Sequence, residues 1–153
     1  MRRRLGSRAL RKGRTSLHGQ IYLVTAVVLG RRAVFSDWRA ANHSCRALAD
    51  PIVWRNSRLL CWVLMPDHWH AVIQLGERDE LSAIVNRAKS TMAKAANASV
   101  GGRGRVWERG FHDHALRREE DLLEIARYVV ANPVRAQLVR SVRDYPWWDA
   151  VWL

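Results

Sequence analysis

Two histidines separated by one residue, His68 and His70, interrupt an otherwise apolar part of the sequence. They follow Pro66 and Asp67 in the run RLLCWVLMPDHWHAVIQL. Successive side chains of a β-strand point to opposite faces, so a strand here places both histidines on one face and Trp69 on the other. Two imidazoles side by side suggest a metal site. A single histidine on a strand is more often structural, so the hypothesis needs further residues.

Tyr128 and Asn132 supply such residues near the other end of the chain. They are spaced i, i+4, which places them on one face of a helix predicted over 118–133. Pro133 disfavours the α region at Asn132, so we expect the asparagine at the helix end. A tyrosine hydroxyl beside a metal held by two imidazoles and an amide oxygen is a nucleophile next to a Lewis acid. A phosphodiester is the electrophile that suits a basic protein.

The elements that must position these residues follow from periodicity and turn signals. A β-branched run predicts a first strand over 19–30, and Pro66 and Asp67 separate two apolar runs that predict a β-hairpin over 58–65 and 68–75. Between them, 36–50 is a predicted helix with Ser36 as a possible cap and Pro51 as its stop.

Downstream, 80–99 is a predicted helix with an apolar stripe, 101–105 a basic loop and 106–117 a fourth strand with a possible kink at Gly110. In the final helix the apolar stripe is expected at Leu122, Ile125, Ala126, Val129 and Val130. The order of strand, helix, hairpin, helix, strand and helix predicts an α+β fold, a ferredoxin-like two-layer sandwich with an antiparallel sheet. The aromatic C-terminal tail should fold back onto it.

The charge of the chain indicates a polyanionic partner, with nucleic acid ahead of an anionic membrane surface. Its 153 residues include 26 Lys and Arg against 14 Asp and Glu, a formal net charge of +12, with a pI of about 11.2. We expect 1–18 to be a flexible basic arm and 19–153 a single domain; a merely solubilising arm is the alternative. Candidate phosphate contacts are Arg3, Arg4, Arg11, Lys12, Arg14, Lys89, Arg103, Arg105 and Arg117.

Two further features bear on location. The apolar runs are too short to span a bilayer, and no hydrophobic signal segment follows the N-terminal charges, so we expect a cytoplasmic protein. Cys45 and Cys61 lack CxxC spacing, which favours free buried thiols over a disulfide or a zinc site.

Nearly the whole chain resembles the REP-associated tyrosine transposases, a branch of the single-tyrosine HUH transposases of bacterial insertion sequences. The motifs that carry the resemblance, in order, are GRTSLHGQIYLVT, LGRRAVF, MPDHWHAVIQL, NRAKSTMAKAAN, VWERGFHDHALR, ARYVVANPVRAQLV and DYPW. The chain departs from the usual pattern at Trp148 and Asp149, which follow DYPW, and at Ala71. These departures leave the proposed chemistry untouched.

The resemblance implies His68, His70 and Asn132 as metal ligands and Tyr128 as the nucleophile. It further implies attack on a single-strand phosphodiester beside an imperfect palindromic (REP-type) DNA hairpin, with a 5′-phosphotyrosine intermediate and a free 3′-hydroxyl. The family implies Mg²⁺ or Mn²⁺, whereas imidazole ligands alone favour Zn²⁺ or other transition metals, and Mn²⁺ satisfies both arguments. A monomer and a homodimer with exchanged helices both remain open.

Two alternatives stay open at the level of sequence. A four-stranded sheet with basic arms and exposed aromatics also describes a non-catalytic hairpin-binding or RNA-binding module, although no RNP-type aromatic motif is present. His112 and His114 repeat the spacing of the first pair, as extra ligands, as proton carriers or as plain strand-edge residues near phosphates.

Overall fold

The protein is built on one five-stranded antiparallel sheet, in a computed structural model that describes residues 19–117 and 120–152. The strand order is β4-β1-β3-β2-β5, so the strand that carries the histidine pair lies at the centre. The strands are β1 (Ile21–Val27), β2 (Arg58–Met65), β3 (His68–Gln74), β4 (His112–Ala115) and β5 (Trp148–Ala150). The helices are α1 (Trp38–Ala47), α2 (Pro51–Trp54), α3 (Leu81–Val100), α4 (Glu120–Val130) and α5 (Asn132–Arg135).

The main core lies on the face of the sheet opposite the histidines. Trp69 is fully buried there, and alternate residues of β1 and β3 join it. The buried stripe of α3 packs on this face, because its apolar side chains recur every three or four residues. These stripe residues are Leu81, Ile84, Val85, Ala88, Met92 and Ala96. The helix predicted over 80–99 is therefore confirmed, and Gly101 closes it in the left-handed conformation at φ 66°.

The other side of the sheet, which we call the histidine face, carries His68 and His70. Ala126 and Val129 of α4 are buried against Val63 and Val72, which lie on this same face. The rest of the predicted stripe, Leu122, Ile125 and Val130, packs around them. The amphipathic pattern of the last helix is thus confirmed, and it brings that helix over β2 and β3.

The first predicted helix differs at both ends from its expected bounds. Asp37, rather than Ser36, is the N-cap, since its side chain accepts hydrogen bonds from the backbone N–H groups of Arg39 and Ala40. The helix ends at Ala47, before the expected stop. Pro51 is instead the first residue of the short helix α2. Proline is tolerated there because the N–H groups of a first helical turn have no partner within the helix.

The fourth strand is much shorter than predicted. Only His112–Ala115 pairs with β1, whereas 106–110 is a loop attached to the sheet by one bridge between Val28 and Trp107. Gly110 lies within the turn that precedes the strand, at φ 73°. The backbone therefore bends at Gly110 before the strand begins at His112, and not within the strand.

The last predicted helix is divided. The structure describes α4 from Glu120 to Val130, and α5 begins at Asn132. Asn132 therefore lies at the end of the long helix, as expected. It is also the first residue of α5, because Pro133 occupies the first turn of that helix, where its missing N–H is tolerated.

The C-terminal tail folds back onto the sheet, as predicted, and also adds the fifth strand. Tyr145 is buried and its hydroxyl donates a hydrogen bond to the carbonyl of Leu64. β5 then pairs with β2 beyond it. Three residues are too few to show a strand periodicity, which is why the sequence did not predict this strand. The α+β fold with an antiparallel sheet is confirmed.

Candidate functional site

The tight connection between β2 and β3 places both histidines at the centre of the sheet. His68 lies opposite Met65 and Val27, and His70 lies opposite Val63 and Thr25. Their ring centroids are 4.7 Å apart and the rings are nearly perpendicular, at 79°. The prediction that they share one face is confirmed by this register.

The carboxylate of Asp67 determines which nitrogen of His68 carries the proton. Asp67 Oδ1 lies 2.7 Å from His68 Nδ1. An ionised carboxylate only accepts hydrogen bonds, so Nδ1 is the donor, and in the neutral ring the lone pair is then on Nε2. Arg31 Nη1 lies 3.3 Å from the other oxygen of this carboxylate. Partial burial works against ionisation of Asp67, but the hydrogen bonds from His68 and Arg31 outweigh it and hold the pKa of this carboxyl below its ordinary value.

A hydroxyl plays the corresponding part at the second histidine. Thr25 Oγ1 of the neighbouring strand lies 2.8 Å from His70 Nδ1. When Nδ1 donates to this hydroxyl, Nε2 of His70 is also left with a lone pair. Both rings are thus oriented through Nδ1 by oxygen atoms, an arrangement that metal-binding histidines commonly have.

Tyr128 and Asn132 come from the helical segment that covers the histidine face. Tyr128 is 54% exposed, so its hydroxyl is accessible to a large substrate. The guanidinium carbon of Arg135 lies 3.8 Å from the centroid of the Tyr128 ring, in cation–π geometry. The side-chain Nδ2 of Asn132 is buried and has no hydrogen-bond partner among the described residues.

These residues fit a divalent metal ion. Within 19–117 and 120–152, no group of three or more His, Cys, Asp or Glu side chains is placed to hold a metal, so a third protein ligand from these residues would be of another type. The amide of Asn132 is such a group. Its buried Nδ2 makes no hydrogen bond, so a rotation of the amide that puts the oxygen in this position breaks no hydrogen bond of Nδ2. Two imidazole nitrogens and an amide oxygen form a mixed donor set that suits Mn²⁺.

The predicted phosphate contacts fall into separate places. Arg3, Arg4, Arg11, Lys12 and Arg14 lie outside the described residues. Arg103 and Arg105 are exposed in the loop after α3, near the sheet end where β1 meets Trp107. Arg117 is exposed and lies at the opposite end of the sheet, because the backbone N–H of the preceding Leu116 donates to the carbonyl of Ile21 at the start of β1.

Lys89 is not placed as a surface contact. It is only 7% exposed, and its Nζ donates to the carbonyls of Glu108 at 2.9 Å and Gly110 at 2.6 Å. The burial arises because the residue lies on the core-facing stripe of α3. Its assignment as a DNA contact is therefore wrong, and it holds the following loop instead.

The second histidine pair shares the histidine face. His112 lies opposite Thr25 and His114 opposite Leu23 on the edge strand β4. His112 is exposed and His114 half-buried. Thr25 separates His112 from His70, so this pair extends the face toward the sheet edge.

Three residues of the site escaped the sequence reasoning. Asp67 was assigned to the turn alone, although its position beside His68 was a usable signal. Thr25 is 45 residues from His70 in the chain, and only the strand register brings them together. Arg135 follows a helix break, so helical spacing from Tyr128 does not predict its stacking.

The cysteines and the helices exclude some other roles. Cys45 and Cys61 are both free thiols, as predicted. Burial raises the pKa of each thiol to about 12, which makes a thiolate nucleophile unfavourable. Among the described residues, no helix has the length and apolar character needed to cross a bilayer.

Comparisons with known proteins identify the family of the chain. Residues 16–132 match the family model described as "Transposase IS200 like". The chain is 30% identical over 86 residues to the REP-associated tyrosine transposase of Escherichia coli K12, covering 56% of this chain and 49% of that protein. It is 29% identical over 94 residues to a putative REP-associated tyrosine transposase of Haemophilus influenzae, covering 55% and 53% respectively. The chain thus matches about half the length of these curated relatives.

A solved structure extends the comparison to three dimensions. The fold is similar to that of a REP-associated tyrosine transposase bound to a REP hairpin, with a TM-score of 0.69 and 24% identity. The match covers 88% of this chain and 79% of the other. At this identity the likeness supports the fold, and the family assignment rests on the model that spans most of the sequence. The chain belongs to the IS200-like transposase family.

Proposed function

We propose that this protein is a metal-dependent single-stranded DNA endonuclease and strand transferase that acts beside palindromic, REP-type hairpins in DNA transposition. The observation that carries the proposal is the pair of imidazoles 4.7 Å apart on the face that also receives the Tyr128 helix. Membership of a transposase family supports DNA as the polyanion that a +12 chain binds.

Tyr128 is the proposed nucleophile. Its hydroxyl loses a proton and its oxygen attacks the phosphorus of a single-strand phosphodiester. A bond forms between the tyrosine oxygen and phosphorus, and the bond from phosphorus to the 3′ oxygen breaks. The released 3′ oxygen takes up a proton and becomes a hydroxyl. The product is a 5′-phosphotyrosine link, and attack by a 3′-hydroxyl on this link rejoins DNA without an external energy source.

His68, His70 and Asn132 are the proposed holders of a divalent metal ion, Mg²⁺ or Mn²⁺. When bound, the ion supplies Lewis-acid polarisation of a non-bridging phosphate oxygen. Asp67 and Thr25 orient the two imidazoles through their Nδ1 atoms. Arg135 keeps the Tyr128 ring in place and brings a positive charge close to the position of the attacked phosphate.

The proposed partner is single-stranded DNA that carries a hairpin. The solved relative with a similar fold is bound to a REP hairpin, which supports this choice. We further propose that residues 1–18 form a basic arm that adds phosphate contacts, with 19–153 as one domain. The proposed location is the cytoplasm, at the nucleoid. A monomer and a homodimer are both compatible with the proposed site.

The test is covalent capture of DNA. The protein is incubated with hairpin oligonucleotides labelled at the 5′ or the 3′ end, with Mn²⁺, with Mg²⁺ or with EDTA. We expect an adduct on the downstream DNA fragment, through the phosphate at its new 5′ end, only when metal is present, and none with Tyr128→Phe. Tyr22→Phe is a poor control because Tyr22 is buried; Arg140→Ala, an exposed change outside the proposed site, serves instead.

Metal binding by the free protein is tested separately. Titration with Mn²⁺ should give one site in the wild type and much weaker binding in His68→Ala and His70→Ala. Hairpin binding that needs no metal and never yields an adduct would favour the non-catalytic module over the enzyme.

A further inference from the structure

The loop over 103–110, between α3 and β4, is held firmly although it has no regular structure. The buried Lys89 ammonium donates to two of its carbonyls, those of Glu108 and Gly110. In return, Trp107 Nε1 donates to the carbonyl of Lys89 at 2.9 Å. The backbone N–H of Leu29 donates to Val106 at 2.8 Å, which ties the loop to the end of β1. Such buried anchors define the positions of the residues between them.

A groove with a cavity volume of about 650 Å³ runs between this loop and α3. Arg105 and Arg109 line it, together with the polar side chains of Asn86 and Ser90. Arg103 is exposed and directly precedes Gly104, a lining residue of the groove. We call this site the arginine groove.

The lining of the arginine groove carries a net positive charge, because it includes the cations of Lys89, Arg105 and Arg109 and one carboxylate. Its acidic lining residue, Glu108, uses Oε1 to accept the backbone N–H of Gly30 at 2.9 Å. Arg32 fastens the groove to β1 by donating to the carbonyls of Arg105 at 2.8 Å and Leu29 at 3.0 Å. Guanidinium groups on a fixed backbone are well suited to phosphate oxygens.

The aromatic residues of this region argue for a backbone ligand rather than unpaired bases. Trp107 and Phe111 are each 5% exposed and belong to the core. They offer no open ring on which a flipped-out base would stack, as single-strand binding sites commonly do. Arginines next to closed aromatic rings suit contacts to phosphates, which position DNA without reading its bases.

The position of the groove relates it to the proposed active site. The Val28 to Trp107 bridge places the loop at the sheet end where His68 begins β3 opposite Val27. Arg31, three residues beyond Val28, contacts Asp67. The loop side of the groove and the start of β3 therefore lie at the same end of the sheet, while α3 forms the other side of the groove on the face opposite the histidines.

We propose that the arginine groove binds the phosphate backbone of the base-paired stem of a DNA hairpin. Arg103, Arg105 and Arg109 make the contacts, and the buried Lys89 positions the loop that carries them. That the ligand is hairpin DNA rests on the proposed function. The inference adds that the stem of the hairpin contacts the arginine groove.

The test measures DNA affinity without cleavage. Fluorescence anisotropy is recorded with a labelled hairpin in EDTA, using Tyr128→Phe protein as the parent. The triple variant Arg103→Ala, Arg105→Ala, Arg109→Ala is compared with a matched control, Arg46→Ala, Arg58→Ala, Arg78→Ala. The control removes three exposed arginines away from the groove. Circular dichroism verifies that both variants fold.

The salt dependence distinguishes phosphate contacts from indirect effects. Each lost contact to a duplex phosphate lowers the slope of log K against log salt by about 0.9, so the groove variant should show a slope shallower by roughly 2 to 3. We expect its affinity at moderate salt to fall at least tenfold more than that of the control.

The outcomes separate the inference from the proposed function. Equal losses in the two triple variants, or an unchanged slope in the groove variant, would overturn the groove as a specific site. If the groove variant loses as much affinity for an unpaired oligonucleotide of the same length as for the hairpin, the groove binds single-stranded DNA and the assignment to the stem is overturned. A parent that does not bind the hairpin at all would overturn both proposals. If wild-type protein forms the adduct with Mn²⁺ but the groove variant binds the hairpin as tightly as the control, only the groove is overturned.

Discussion

Asp67 Oδ1 accepts a hydrogen bond from His68 Nδ1 over 2.7 Å, so the carboxylate next to the first histidine sets the protonation of its ring. The same carboxylate contacts Arg31 at 3.3 Å through its second oxygen. Asp67 therefore connects the loop after β1 with the proposed metal ligand. This relationship gives the turn residue a positioning role that its place in a β-hairpin does not require.

Removal of the Asp67 carboxylate should weaken metal binding without unfolding the site. We expect Asp67→Ala to lower Mn²⁺ affinity about 10- to 100-fold, as loss of partners to metal-bound histidines typically does. Asp67→Asn should retain much of the affinity, because its amide oxygen still accepts from Nδ1–H. The readout is calorimetric Mn²⁺ titration of the free protein. Glu77→Ala, an exposed change of the same charge, should leave affinity unaltered, and equal affinity in Asp67→Ala and wild type would contradict the role.

Acid should remove the stabilising effect of Asp67. The pKa of Asp67 is lowered in the folded state. Between this folded pKa and the ordinary value of about 3.9, the folded protein therefore binds fewer protons than the unfolded chain. The contribution is therefore fully present above that value and is lost as pH falls through the lower folded pKa. Chemical denaturation at a series of pH values should show wild type and Asp67→Asn converging in unfolding free energy toward acid. A gap that stays constant to about pH 2 would contradict this linkage.

Arg135 should affect the rate at which Tyr128 reacts. A cation over an exposed aromatic ring contributes about 0.5–1 kcal/mol, so Arg135→Ala should slow adduct formation roughly 2- to 5-fold. Arg135→Lys should recover part of the rate because it keeps the charge. Single-turnover kinetics with a labelled hairpin provide the measurement. Arg140→Ala serves as the control, and a loss of similar size there would show a general charge effect.

Lys89 should matter for stability. Lys89→Met keeps much of the buried side-chain volume but leaves the carbonyls of Glu108 and Gly110 without this donor. A hydrogen bond that involves a charged group contributes about 1.5–3 kcal/mol, so we expect a loss of unfolding free energy of that order. The exposed Lys94→Met on the same helix should change it by less than about 0.5 kcal/mol. Urea denaturation followed by circular dichroism compares the two, and similar values would refute a structural role for Lys89.

Local patterns in the sequence determined the main elements and the composition of the proposed site. Two apolar runs separated by Pro66 and Asp67 predicted the hairpin, and the alternation of side chains along a strand predicted the shared face of His68 and His70. The 3.6-residue period predicted the stripes of α3 and α4. These predictions succeeded because each depends on contacts within one element or between adjacent ones. The resemblance of ordered motifs indicated the family for the same reason, since it depends on residue order alone.

The tertiary structure decided which distant residues meet and which polar groups are buried. Thr25 reaches His70 only through the register of β1 on β3, and β5 exists only because the tail finds the free edge of β2. Lys89 resembled a surface cation in sequence, yet the packing of α3 buries its stem and the loop satisfies its ammonium. The sequence shows a lysine whether the side chain is exposed or buried. For Lys89, the carbonyls that surround its ammonium in the folded structure show that it stabilises the fold.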